Sequence, residues 1–241
     1  MCIRDSLSAE QTYSIRRRME VRYGYAFGRN RTVDESLGFD LSVRAARLTT
    51  SALVDRRTDP FDPNGGWFAS SNLELSRPSL GSDLSFLKGF LQVYQFLPVR
   101  RGVVLASAAR IGLARTYDDQ ELYVRERFYA GGATSVRGYR QDDLGQRSSL
   151  GDAAGGMALL VFNEELRFPI FRWLRGVGFV DLGNVYDTVG DISLGDLRVG
   201  VGAGARFDTP VGLFRVDLGI PANPRPFDPK WKIHFGLGHA F

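Results

Sequence analysis

The sequence predicts an all-β fold: a transmembrane antiparallel β-barrel, here a partial barrel of about ten strands with one long inward-folding loop. Three observations carry that prediction. Apolar and polar residues alternate over runs of ten or more positions, whereas an ordinary strand has about five or six and a membrane-spanning one about 9–11. Connections alternate between short turns and long polar loops, the two ends of a transmembrane barrel. Aromatic residues gather near the ends of the runs, at Tyr23, Tyr25, Phe27, Trp67, Phe68, Phe168, Trp173 and Trp231, where interfacial girdles form.

The elements follow in chain order. Tyr13, Ile15, Met19, Val21, Tyr23, Tyr25 and Phe27 share one parity, and Thr12, Ser14, Arg16, Arg18, Glu20, Arg22 and Gly24 take the other, which reads as one long two-faced strand. Arg17 interrupts the apolar row near its start, where a charge can reach an interface. Leu37, Phe39, Leu41 and Val43 form the next row, then Trp67, Ala69, Leu73 and Leu75. Residues 84–97 are strand-like with no clear facing. Val103, Leu105, Ala109, Ile111 and Leu113 follow, and after a polar interval Asn163, Glu165 and Arg167 oppose Leu160, Phe162, Leu166 and Phe168. Segments at 176–186, 196–208, 211–220 and 231–241 complete the set. Short turns are expected at 96–100 and 208–211, and longer connections at 28–36, 117–152, 187–195 and 221–230.

An apolar row on a long strand faces either a second sheet or lipid. Strand length and the placement of the aromatics favour lipid, so the charged rows should line a lumen. No run approaches the ~18 apolar residues of a membrane helix. The net charge of +4 and pI near 9.4 come without a dense basic run, which argues against a nucleic-acid partner. One cysteine, Cys2, excludes a disulfide framework. Residues 1–10 have no apolar signal core and read as a non-native or disordered leader, with the barrel segment occupying 11–241.

The loop at 117–152 holds the most distinctive stretch, Gly131-Gly132-Ala133-Thr134-Ser135-Val136-Arg137-Gly138-Tyr139-Arg140. It places one arginine among turn-permissive residues, an arrangement suited to delivering a guanidinium to a fixed position. On parity, Glu165 and Asp181 face the lumen, and carboxylates can take an arginine fork bidentately. Gly200, Gly202 and Gly204 share one inward row, and glycine in a strand marks close approach of another backbone, or a bend. The same residues satisfy a loose dinucleotide fingerprint, but that motif needs a strand–turn–helix context, and Arg206-Phe207-Asp208-Thr209-Pro210 cannot open such a helix. Catalytic constellations are missing. His234 and His239 have opposite parity, and the adjacent Glu164 and Glu165 face opposite sides. No enzyme activity, metal or cofactor is expected. Glu164 on the apolar side is acceptable only near an interface.

Arg127-Phe128-Tyr129-Ala130-Gly131-Gly132 followed by Ser135-Val136-Arg137-Gly138-Tyr139 resembles the sixth-loop signature of BamA/TamA-type outer-membrane insertases and translocases. Phe179-Val180-Asp181-Leu182-Gly183-Asn184-Val185 and Asn163-Glu164-Glu165-Leu166-Arg167-Phe168-Pro169 resemble strands of the same family. Asp55-Arg56-Arg57-Thr58-Asp59-Pro60 resembles a periplasmic turn, and Thr209-Pro210-Val211-Gly212 the last hairpin. Phe241, with Phe235 and Leu237, resembles a C-terminal assembly signal.

The resemblance implies that Val136, Arg137, Gly138 and Tyr139 fold into the lumen and that Arg137 pairs with Glu165 and Asp181. It implies a bacterial outer-membrane location in contact with lipid, and soluble POTRA domains and first barrel strands lying outside this sequence. It also implies nascent outer-membrane or secreted proteins as clients, with periplasmic accessory proteins as further partners. A two-partner secretion pore shares the loop motif. A passive porin or a lipase-associated barrel is the alternative from another class.

Overall fold

The structure, a computed structural model, describes residues 2–15, 18–34, 39–117, 121–148, 151–210 and 212–241; for 2–6, 30–34 and 39–41 it describes the backbone alone. Arg16, Arg17, Leu37 and Val211 lie outside the described residues. Among the described residues, eleven strands form one sheet in strict sequence order. They are β1 (Cys2–Ile15), β2 (Met19–Asp34), β3 (Phe39–Asp55), β4 (Gly66–Ser76), β5 (Phe86–Arg100), β6 (Val103–Thr116), β7 (Ala158–Phe171), β8 (Leu174–Tyr186), β9 (Arg198–Thr209), β10 (Gly212–Pro221) and β11 (Lys232–Leu237). Every neighbouring pair is antiparallel, and β1 and β11 are the edges.

The run expected to be a single strand through Tyr13 and Phe27 is a hairpin of β1 and β2. Tyr13 opposes Val21 and Ile15 opposes Met19, so the apolar parity continues across the turn and conceals it in the sequence. That hairpin supplies the eleventh strand. Residues 2–10, expected to be a leader, form most of β1. The connection expected at 28–36 is largely strand, because β2 runs to Asp34. The turn expected at 96–100 lies inside β5, and the chain reverses at Arg101–Gly102. The long loop runs to residue 157, with β7 starting at Ala158.

The alternation resolves into two faces. Leu73, Leu91, Leu113, Leu166, Val180 and Leu218 stand exposed on the outer wall. A soluble monomer rarely shows so large a continuous apolar surface, but a lipid-facing one requires it. On the inner side of the wall, the loop packs against β5–β8. Leu122, Phe128, Val136, Tyr139 and Leu144 of the loop join Phe86, Ala114, Leu159, Val161 and Val185 of the strands in one buried cluster. That cluster explains the unclear facing of β5. Its inner row carries Phe86 and Phe90 against the loop cluster, and Tyr94 and Phe96 in a second cluster with Phe241, rather than facing water, while Leu87, Leu91, Val93 and Leu97 face outward.

A buried arginine clamp inside the barrel wall

Register decides which inward side chains meet. Asn163 on β7 lies opposite Asp181 on β8, Asp181 opposite Gly200 on β9, and Gly200 opposite Pro221 on β10. The loop tip crosses this row. A methyl group on Gly200 would collide with the Arg137 carbonyl, and one on Gly219 with the Gly138 backbone. Close backbone approach is therefore the reason for Gly200. A methyl group on Gly202 would meet the Leu218 carbonyl and the Phe179 ring, and one on Gly204 the Asp217 carboxylate.

Arg137 is 1% exposed, and Glu165, Asp181 and Asp217 are each 0% exposed. Its Nε donates to Asp181 Oδ2 at 2.7 Å and its Nη2 to Asp181 Oδ1 at 2.8 Å, a two-pronged fork. Its Nη1 donates to Glu165 Oε1 at 2.6 Å and to Asp217 Oδ2 at 3.4 Å. The Arg137 backbone N–H also donates to Asp181, at 3.0 Å. The guanidinium lies over the Phe179 ring, 3.5 Å from its centroid. Burial of such a charge is tolerable only with this degree of pairing, and removing one side of such a group costs about 3–5 kcal/mol.

The neighbours of Arg137 anchor the rest of the turn. Val136 is fully buried in the loop–wall cluster. Gly138, with φ of 94°, donates its N–H to His234 Nε2 on β11 at 3.0 Å. The Tyr139 hydroxyl donates to Asn223 Oδ1 at 3.0 Å. Asn163 donates to the Ser135 carbonyl at 2.5 Å and to Asp181 at 2.8 Å, while Arg110 on β6 donates to the Thr134 carbonyl. Strands from β6 to β11 thus all touch one short turn.

Sequence reading paired Arg137 with Glu165 and Asp181, and the structure brings the three together. It missed Asp217, Arg206 and His234. Arg206 is fully buried, bonded to Asp217 and within 3.4 Å of Glu165. Arg167 donates to Glu165 Oε2 at 2.9 Å and lies 5.5 Å from each of the Phe96 and Phe241 ring centroids. Inward parity marks Asp217 and Arg206 in the sequence, but only strand register gives their depth. Glu164, the outward acid, accepts a hydrogen bond from Ser107 at 2.7 Å.

The three residues read as a terminal signal do not share a face. Phe235 and Leu237 are 65% and 74% exposed on the edge strand. The chain bends at Gly238, where φ is 77°, and Phe241 turns inward against Tyr94. His239 meets Asp62 at 3.0 Å in the β3–β4 connection. That hydrogen bond, with those from Arg175, holds the Asp62 carboxyl well below the usual carboxylate range despite partial burial.

An apolar outer wall, a charged inner wall and a loop pinned inside define a segment of an outer-membrane β-barrel. The Omp85 superfamily domain matches residues 6–241, and the chain belongs to that superfamily. It is 32% identical over 175 residues to sorting and assembly machinery component 50 homolog A of Xenopus laevis, covering 72% of this chain and 36% of that protein. It is 29% identical over 216 residues to outer membrane protein assembly factor BamA of Nitratidesulfovibrio vulgaris, covering 87% of this chain and 27% of that protein. The crystal structure of BamA from Haemophilus ducreyi lacking POTRA domains 1–3 has the same fold, with a TM-score of 0.82 at 16% identity over 98% of this chain and 54% of that one. CdiB from Acinetobacter baumannii is a more distant neighbour, with a TM-score of 0.62 at 13% identity over 98% of this chain and 41% of its own. The chain thus spans well under half the length of these curated relatives and corresponds to the barrel portion of a BamA-type protein.

Proposed function

We propose that this segment is the rigid wall and one seam edge of a bacterial outer-membrane insertase or translocase of the BamA/TamA type. Its clients are other β-barrel or secreted proteins, and it works without ATP, cofactor or chemical catalysis. The observation that carries the reading is a contrast within one sheet. Arg137 ties the loop to β7, β8 and β10, whereas β11 pairs with β10 over only six residues and leaves Phe235 and Leu237 exposed. A stiff wall beside a short, open edge suits strand addition, in which an incoming strand forms main-chain hydrogen bonds to a sheet edge. POTRA domains, the missing first strands and periplasmic accessory proteins complete the proposed machine. A two-partner secretion pore is the competing reading and shares the loop motif.

A photo-crosslinker at Phe235 of the full-length protein, reconstituted in phospholipid vesicles with a denatured β-barrel client, tests the reading. The expected result is a crosslink to the client during insertion, and none from the same probe at Val180 on the outer wall. No crosslink at Phe235, together with client insertion no faster than in empty vesicles, would refute it. Crosslinks to a secreted substrate alone would favour the secretion pore.

A further inference from the structure

Arginines are concentrated at the rim where the short turns lie, and most of those described are already engaged. Arg57 pairs with Asp55, Arg175 with Asp62 and Asp208, and Arg56 lies over the Trp67 ring. Arg100, Arg101 and Arg172 differ. All three are exposed, and among the described residues none of their side chains makes a hydrogen bond, ion pair or ring contact. They occupy neighbouring turns: Arg100–Arg101 closes β5 onto β6, and Arg172 lies between β7 and β8. The two turns touch, since a methyl group on Gly102 would lie 3.2 Å from the Pro169 ring.

Acids at this rim are already engaged, Asp55 by Arg57, Asp62 by Arg175 and His239, and Asp208 by Arg175, and the segments around the three arginines add none. Residues 84–117 contain no Asp or Glu, and neither do residues 166–180. Beside them on the outer wall stand Leu97, Val99, Phe168, Ile170, Phe171 and Trp173, all exposed. Phe171 stacks on Trp173, and Trp173 on Phe207. Apolar side chains that face acyl chains therefore end in three unpaired guanidinium groups at headgroup level. Guanidinium groups take phosphate oxygens in a bidentate fork. Aromatic rings fix the depth at which that fork meets the leaflet.

We propose that Arg100, Arg101 and Arg172 form a binding site for the phosphate headgroup of an anionic glycerophospholipid in the leaflet at the short-turn rim. The flanking apolar row takes its acyl chains. The wall then holds specific lipid at β5–β8, on the far side of several strands from the β11 edge. A zwitterionic lipid presents the same phosphate beside a cation that repels the arginines, so the site prefers net negative charge. On the order of fivefold in affinity is expected per arginine close to an anionic surface.

The test uses the full-length protein in detergent, with retained lipid read by native mass spectrometry as phosphatidylglycerol or phosphatidylcholine is added. Wild type should retain phosphatidylglycerol in preference to phosphatidylcholine. R100Q/R101Q/R172Q should lose tenfold or more of that retention and keep its phosphatidylcholine level. The single variants should each show a partial loss, which keeps the test informative should the triple variant fold poorly. Correct folding is checked by the heat-dependent shift in gel mobility. Equal retention of phosphatidylglycerol by wild type and triple variant would overturn the site. So would parallel loss of both lipids, which would indicate an apolar collar only. Displacement of phosphatidylglycerol by millimolar inorganic phosphate would overturn the lipid assignment in favour of a free-anion site.

Discussion

The inner face of β7–β10 and that of β1–β4 are built from the same alternation, yet they hold charge in opposite ways. Arg137, Glu165, Asp181, Arg206 and Asp217 are all within 1% of full burial. On the other half, Glu10, Glu20, Arg22, Thr49, Ser51 and Asn72 line an open polar groove, and the Arg22–Glu20 pair at 2.9 Å stays well exposed. Strand chemistry is alike in the two halves. The difference is the loop, which covers β5–β10 and excludes water there. Burial of charge in this wall is therefore a property of the 117–157 connection and its arginine.

Breaking the clamp should give the largest effect. Arg137→Ala leaves Asp181, Glu165 and Asp217 without their shared cation, at a cost of about 3–5 kcal/mol. Urea unfolding in micelles should show that loss, and limited proteolysis should cut within the loop of the variant but not of wild type. Unchanged stability and protection would mean that the loop is held by its apolar contacts alone. Next comes the outer wall, shared by both halves. Val201→Arg places a charge toward lipid opposite Val180 and should lower folding stability by about 2–4 kcal/mol. Indifference to that charge would reverse the assignment of faces.

Gly200→Val sharpens the comparison from the wall side, because it alters no charge. Its side chain meets the Arg137 carbonyl and should push the loop outward at a cost of about 1–3 kcal/mol. Loop proteolysis as in Arg137→Ala, at a smaller stability loss, is the expected pattern. The smallest effect belongs to the open half. Arg22→Gln should leave urea unfolding indistinguishable from wild type, since exposed pairs contribute little. A clear loss there would show that the groove is covered in the complete protein.

Much of this was legible in the sequence because the strand period is two. Parity alone separates Asn163, Glu165 and Arg167 from Leu160, Phe162 and Leu166, and the structure keeps that division. Parity is blind to register, and register is what brings Asp217 opposite Gly204 and His234 opposite Asp217. It is equally blind to a turn that preserves it, which hid the β1–β2 hairpin. The inward course of Phe241 escaped for a different reason. Counting by twos assumes an extended chain, and the bend at Gly238 ends the strand before the count does.

The brevity of β11 has one more consequence. In an antiparallel ladder, alternate residues send their N–H and C=O groups to opposite sides. Of the six residues of β11 paired with β10, about half therefore turn their backbone groups toward β10 and the rest turn theirs outward. The margin of the sheet at β11 therefore presents only a few outward backbone groups, far fewer than a strand of the length of β2 or β3 would.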